Sequence, residues 1–127
     1  MRPAPDVASL RMTTLENTPQ SSASPRYVLG RHGQAFSTRA RAEQIRAEIE
    51  QLAAGSSDVL IDFEGVRSVS YSFADELVGV FASRYEANPD CLRPVVIGLS
   101  AQAQRVLIGS LERRGLSDET SRELVPR

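Results

Sequence analysis

The apolar residues change their spacing within one stretch, residues 58–85, and this change constrains the fold more than any other feature. Residues 58–63 form a short apolar run rich in β-branched side chains, which is typical of a strand covered on both faces. In residues 73–85 the apolar positions recur at three and four residues, the spacing of one helix face. The residues between them, 64–71, therefore predict a tight passage from strand to helix. An open α/β sheet presents ligands beyond the carboxyl ends of its strands, so we expect a functional site at this passage.

The remaining segments predict the element order β-β-α-β-α-β-α. The predicted elements are an edge strand at residues 10–15, a second strand at 26–29 that pairs with it antiparallel, a helix from a cap at Ser37 or Thr38 to about Ala54, a strand at 93–99 and a helix from Ser100 to a stop at Gly115. This order predicts an α/β fold with a small mixed sheet and helices packed on it.

The first predicted helix has one apolar and one charged side. Ile45, Ile49 and Leu52 form its apolar stripe, and Gly55 supplies the residue that stops it. On the opposite side we expect two ion pairs at i, i+4, namely Arg39 with Glu43 and Arg46 with Glu50.

The length of 127 residues fits one domain. We assign residues 26–116 to that domain and residues 1–25 to a flexible N-terminal arm that contains the edge strand. Residues 117–123 form a polar tail that we expect to fray. Residues 124–127 spell the first half of a thrombin cleavage site, and we interpret them as an expression-tag remnant.

The composition excludes several kinds of chemistry. All 15 basic residues are Arg and none is Lys, which excludes Schiff-base chemistry and the lysine of a phosphate-binding P-loop. The single Cys91 excludes an internal disulfide and a cysteine-based zinc site, and with a single His32 little acid-base chemistry can be built. We therefore predict a protein that is not an enzyme and that has no cofactor and no metal site.

Charge and hydropathy narrow the partners and the location. Without Arg127 the net charge is 14 minus 16, or −2, so no excess of positive charge predicts binding to nucleic acid. No apolar run approaches the roughly 20 residues that span a bilayer, and the N-terminus lacks the apolar core of a secretory signal. We expect a cytoplasmic protein that does not bind a membrane.

Ser72 stands where the helix after the passage is expected to begin. Its hydroxyl can cap the helix by accepting the backbone N–H of Ala74 or Asp75. Alternatively, Ser72 is a candidate phosphorylation site, because the helix dipole favours negative charge at this end. The sequence leaves both interpretations open.

Asp75 and Glu76 follow in the first turn of the same helix. Neighbouring helical residues point about 100° apart, so we expect the two carboxylates to complement the helix dipole or to contact an arginine of the first helix, preferably Arg39. The alternative is a small metal-dependent hydrolase or nucleotide-binding enzyme that uses Asp62 together with Asp75 and Glu76.

Residues 59–77 resemble the STAS-like domains of bacteria, relatives of the STAS domains of sulfate transporters and anti-sigma factor antagonists. The resemblance is carried by Val59-Leu-Ile-Asp-Phe-Glu-Gly-Val66 and Ser68-Val-Ser-Tyr-Ser-Phe-Ala-Asp-Glu-Leu77, extends upstream to Phe36-Ser-Thr-Arg39, and covers residues 26–115. In the antagonists the passage carries an Asp and a phosphorylated serine. Counted from Asp62, these positions fall on Ser70 and Tyr71, and the next serine falls on Ser72.

The resemblance implies a STAS-like regulatory module that binds a protein partner, of the histidine-kinase-like ATPase type. We expect the contact at Ser70, Tyr71, Ser72, Asp75 and Glu76, with Arg39 in support and with Asp62 and Gly65 shaping the turn. The sequence also leaves a homodimer open.

Overall fold

A computed structural model describes residues 24–127, and a parallel sheet lies at their centre. It consists of β1 (Arg26–Val28), β3 (Asp58–Asp62) and β5 (Arg93–Ile97) in the order β1-β3-β5, so β3 is the central strand as predicted. A second parallel pair joins β2 (Ala35–Phe36) to β4 (Ser68–Val69). The predicted α/β class is confirmed.

The helices follow the strands in chain order. They are α1 (Arg39–Leu52), α2 (Tyr71–Ala74), a π-helical segment (Asp75–Gly79), α3 (Val80–Ala87), α4 (Ala101–Arg113) and α5 (Asp118–Leu124), with a short 3₁₀ turn at Leu29–His32. The segments from α2 to α3 run on without a break, because Ala74, Asp75, Gly79 and Val80 all have right-handed helical backbone angles. Among the described residues, no helix combines the length and the apolar character that a membrane crossing requires.

Both described sheets are parallel. In β1 Arg26 pairs with Leu60 of β3, and Leu60 in turn pairs with Val95 of β5. The predicted strand at residues 10–15, and its antiparallel pairing that would make the sheet mixed, lie outside the described residues.

The core lies between the three-stranded sheet and the helices. Alternate residues of β3, Val59 and Ile61, are fully buried, as are Ile45 and Ile49 of α1. The second sheet joins this core through Phe36, whose ring stacks on that of Phe73 at a centroid distance of 4.9 Å. This stacking fixes the start of α2 against β2 and β4.

Helix α1 agrees with its predicted bounds but not with its whole predicted stripe. Thr38 caps it by accepting the backbone N–H of Arg41, and Gly55 follows its end with a φ of 84°. Leu52, however, is 47% exposed, so its placement in the apolar stripe is wrong. It is the last residue of the helix, and Ala53 enters the core in its place.

The expectation that the chain frays beyond Gly115 is also wrong. Ser117 caps α5 by accepting the backbone N–H of Thr120 at 3.1 Å, and the helix packs on β5. Leu124 and Val125 are fully buried. The apolar residues at the end of the helix anchor a segment whose other side chains are polar.

Candidate functional site

The passage from β4 to α2 begins with a capped helix start. Ser70, not Ser72, is the N-cap: its Oγ accepts the backbone N–H of Phe73 at 3.0 Å and donates to the carbonyl oxygen of Ser37 at 2.8 Å. The predicted cap at Ser72 is wrong because β4 ends at Val69 and the helix begins directly after Ser70. Ser72 therefore lies inside the first turn, which leaves its hydroxyl without the capping role.

Residues 70–72, which we call the docking turn, are half-buried at the surface. The Arg113 guanidinium lies over the Tyr71 ring, 4.5 Å from its centroid, a cation–π geometry. Within residues 24–127 the Ser72 hydroxyl makes no side-chain hydrogen bond. The docking turn thus presents an aromatic ring with a cation above it and an accessible hydroxyl beside it.

Asp75 lies one turn further along, in the π-helical segment, and binds two arginines. Arg114, the residue that caps the C-terminal end of α4, donates to it twice, Nε to Oδ1 at 2.6 Å and Nη2 to Oδ2 at 3.1 Å. Arg39 of α1 donates to Oδ2 at 3.1 Å, and the Ser110 hydroxyl to Oδ1 at 3.2 Å. With the side chain only 14% exposed, this carboxylate ties α1 and α4 to the π-helical segment.

Glu76 is held in the same way from α1. Arg46 donates through Nη1 both to Glu76 Oε2 and to the Glu76 carbonyl oxygen, each at 2.6 Å. Arg39 adds a longer bond of 3.3 Å to Oε1. The predicted contact of Arg39 with both carboxylates is therefore present, and we call these two acids with Arg39, Arg46 and Arg114 the ionic clasp.

The ionic clasp replaces the ion pairs predicted along α1. Arg39 and Arg46 contact Asp75 and Glu76 instead of the glutamates one turn away, and Glu50 pairs with Arg84 of α3 at 3.0 Å. The physical reason is burial: the side chains of Arg46 and Glu76 are 17% and 16% exposed, and a partly buried ion pair is screened less than an exposed pair on one helix.

Hydrogen bonding sets the charge state of the clasp. The Arg114 guanidinium, with Arg39 in support, holds the pKa of Asp75 below its usual value against the opposing effect of burial. Arg46 does the same for the pKa of Glu76. Both carboxylates are therefore ionised and neutralised within the chain, and their main contacts are with arginines of neighbouring helices.

Gly79 makes room for the clasp. A Cβ at this position would lie 2.7 Å from Arg114 Nε and 3.0 Å from Asp75 Oδ1, so any side chain would push the pair apart. Sequence reasoning missed the π-helical segment and three residues of this network, Arg46, Ser110 and Arg114. A glycine inside an otherwise continuous helical pattern was the one available signal.

Asp62 and Gly65 lie on the other side of the passage, where the chain leaves β3. Asp62 is 3% exposed; its Oδ1 accepts the backbone N–H of Glu64 at 2.8 Å and its Oδ2 is paired with Arg26. Burial raises the pKa of Asp62, but the bonds from Arg26 and Glu64 outweigh it and leave the pKa below the usual value. Gly65 has a φ of 88°, which the turn requires.

The geometry does not support the alternative hypothesis of a metal-dependent hydrolase or nucleotide-binding enzyme. Asp62, Asp75 and Glu76 are each engaged by an arginine, which competes with a cation for their oxygens. Across residues 24–127 there is no grouping of three or more His, Cys, Asp or Glu side chains that could hold a metal ion.

Cys91 is half-buried in a groove of about 280 Å³ that Phe81 and Leu92 line.

Comparison with known protein families identifies part of the chain. Residues 41–92 match the model of a family described as a STAS-like domain of unknown function (DUF4325), which confirms the resemblance inferred from the sequence. The matched segment contains most of α1, all of β3, the docking turn and the carboxylates of the clasp. No curated protein and no solved structure gives a significant match.

Proposed function

We propose that this chain, of which residues 41–92 match a STAS-like domain family, is a non-catalytic regulatory module that docks a protein partner through the docking turn. The partner proposed is a signalling protein of the histidine-kinase-like ATPase type, the class that the family resemblance implies. The chain recognises this partner by surface contact and supplies no catalytic group of its own.

One observation carries the proposal: the docking turn leaves an aromatic and a hydroxyl accessible on a rigid support. Tyr71 is half-buried under Arg113, and Tyr and Arg are the residues that most often dominate binding energy at protein interfaces. The cap at Ser70 and the stacking of Phe36 on Phe73 fix the turn from below. A preordered surface loses little conformational entropy on binding.

The other predicted contact residues have graded roles in this proposal. Ser72 contacts the partner and is also the candidate acceptor of a phosphoryl group from it, because the residue is half-exposed. Asp75 and Glu76 meet the partner only through their exposed edges and act mainly by holding the docking turn in place. Arg39, with a side chain 49% exposed, lies beside both carboxylates and can be shared with the partner.

The test is site-specific photo-crosslinking in cells, with a benzophenone amino acid in place of Ser72. We expect capture of one protein with an ATPase-type domain at this position. The matched control carries the same group at Glu119, an exposed residue of α5, and should capture nothing specific. Tyr71→Ala added to the Ser72 crosslinker should lower the yield at least tenfold by removing the aromatic anchor, whereas Tyr71→Phe should keep it.

Equal capture at Ser72 and Glu119, or no capture at either position, would contradict the proposal. Capture of a protein without an ATPase-type domain would support the proposed docking surface but show that the proposed class of partner is wrong.

A further inference from the structure

Helix α4 carries a surface stripe that begins beside the docking turn. Arg105, Gly109 and Arg113 are spaced i, i+4 and i+8, so they lie along one helix face. Arg113 is the member that covers the Tyr71 ring, and both arginines are exposed. The stripe and the docking turn therefore form one continuous surface.

Packing among the described residues does not explain why position 109 is a glycine. A Cβ at this position would meet no atom within 4 Å, in contrast to Gly79, where the clasp leaves no room for a side chain. Glycine is a poor helix former, and Gly109 is the ninth of the 13 residues of α4. A missing side chain on an open helix face allows the backbone of another chain to approach closely.

The charges on either side of this gap are not neutralised within residues 24–127. Arg105 and Arg113 take part in no ion pair there, whereas the adjacent Arg114 is engaged by Asp75. Glu112 flanks the stripe and is the nearest acid along the helix, and it forms no ion pair within the same residues. The stripe thus offers two guanidinium groups that form no ion pair within those residues, on arginines whose Cα positions are about 12 Å apart along the helix axis, with an open position between them.

We infer that this stripe is the second half of the docking surface and that it takes an acidic helix of the partner. The partner helix packs along α4 with its backbone over Gly109 and places carboxylates on Arg105 and Arg113. Two turns of helix separate the arginines, so the matching acids are seven or eight residues apart. This inference rests on the proposed function and adds the charge and the shape of the partner surface.

The experiment uses the protein captured at Ser72, purified, and titrates it against the full chain by calorimetry at low and moderate salt. Arg105→Glu and Arg113→Glu should each weaken binding at least tenfold, and the loss should shrink as salt is raised. Arg105 is the cleaner test because Arg113 also stacks on Tyr71. Glu112→Gln should tighten binding, since it removes the flanking negative charge.

Two variants separate docking from simple loss of fold or of charge. Arg31→Glu, an exposed arginine in the 3₁₀ turn after β1 that is also in no ion pair among the described residues, should leave affinity unchanged. Gly109→Ala should raise Tm by a few degrees, because Ala favours the helix and meets nothing there, and should nevertheless weaken binding.

The outcomes distinguish the two proposals. If Arg105→Glu and Gly109→Ala bind the partner as tightly as the parent chain while Tyr71→Ala does not, the proposal that the stripe binds the partner is wrong, and the proposal that the docking turn binds it is supported. If nothing is captured at Ser72, both proposals fail together. If the captured species is a second copy of this chain, the acidic partner helix is overturned in favour of self-association.

Discussion

At the scale of single residues, Asp75 links helices that are far apart in the chain. It accepts hydrogen bonds from Arg39 of α1 and from Arg114 at the end of α4, which are 36 and 39 positions away. The sequence predicted the first partner, because Arg39 is placed at a helix start near the passage. It did not predict the second, since nothing local to Arg114 shows that the end of α4 returns to the start of α2.

Replacing Asp75 by Asn should destabilise the fold in a way that depends on pH. The pKa of Asp75 is lower in the folded chain than its ordinary value of 3.8, so its ion pairs stabilise the fold above that value and lose this effect as pH falls through the folded pKa. We expect Asp75→Asn to cost about 1–3 kcal/mol at neutral pH and progressively less below about pH 4. Thermal unfolding across pH measures this.

The control for this prediction is Asp118→Asn. Asp118 forms an exposed i, i+4 pair with Arg122, so its loss should leave Tm almost unchanged at every pH. A gap between the parent chain and Asp75→Asn that stays constant down to pH 2 would show that the carboxylate charge is not the cause.

At the scale of elements, the helix after the passage shows what periodicity can and cannot predict. The apolar spacing located a helix over residues 73–85 correctly, and the structure has helical backbone there throughout. The π-helical segment Asp75–Gly79 was not predictable from the sequence. A π-helical turn contains about one residue more than an α-helical turn, and this difference is too small to be seen in the spacing of the apolar residues. Its contacts with Arg46 and Arg114 arise only in the folded chain.

Helix α5 was missed for a different reason. Its sequence, DETSREL, is polar except at its last residue, so it has almost no hydrophobic pattern. Its contribution comes from Leu124, which is fully buried, and from Ser121, which is 4% exposed. Tertiary packing therefore decides whether this segment is helical.

Leu124→Ala should lower the free energy of unfolding by about 2–4 kcal/mol, because it leaves a cavity in the core. Chemical denaturation with urea measures the change. Glu119→Ala, an exposed change in the same helix, should leave the midpoint nearly unchanged. Equal midpoints for the parent chain and Leu124→Ala would contradict the packing of α5 described above.

At the scale of the whole molecule, the loops that follow β1, β3 and β5 meet at one edge of the sheet. An added Cβ at Gly30 would overlap the Glu64 carbonyl oxygen, and one at Gly98 would lie 2.8 Å from Asp62 Oδ1. Sequence analysis did not identify a role for Gly30, because the close approach of two loops is not visible in a linear pattern. What the sequence predicted well was the central strand, and therefore the position of the passage.

Gly30→Ala should accordingly destabilise the fold by about 1–3 kcal/mol, because the obstructing atom is backbone and cannot move aside easily. Gly109→Ala is the matched control: it adds the same methyl group in open space within a helix and should stabilise by about 0.5–1 kcal/mol. Denaturation midpoints of the two variants should fall on opposite sides of that of the parent chain. The same sign for both would contradict the loop packing.

The register of the central sheet also bears on how quickly the chain reaches its native state. Every strand pair within residues 24–127 joins segments about 35 residues apart, as with Arg26 and Leu60 or Leu60 and Val95. No hairpin within the three-stranded sheet can form early from neighbouring residues, so the entropic cost of closing two long crossovers precedes any gain from strand pairing. Assembly should therefore start from the local contacts within each helix, with the sheet completed last and its unpaired edges open to association until then.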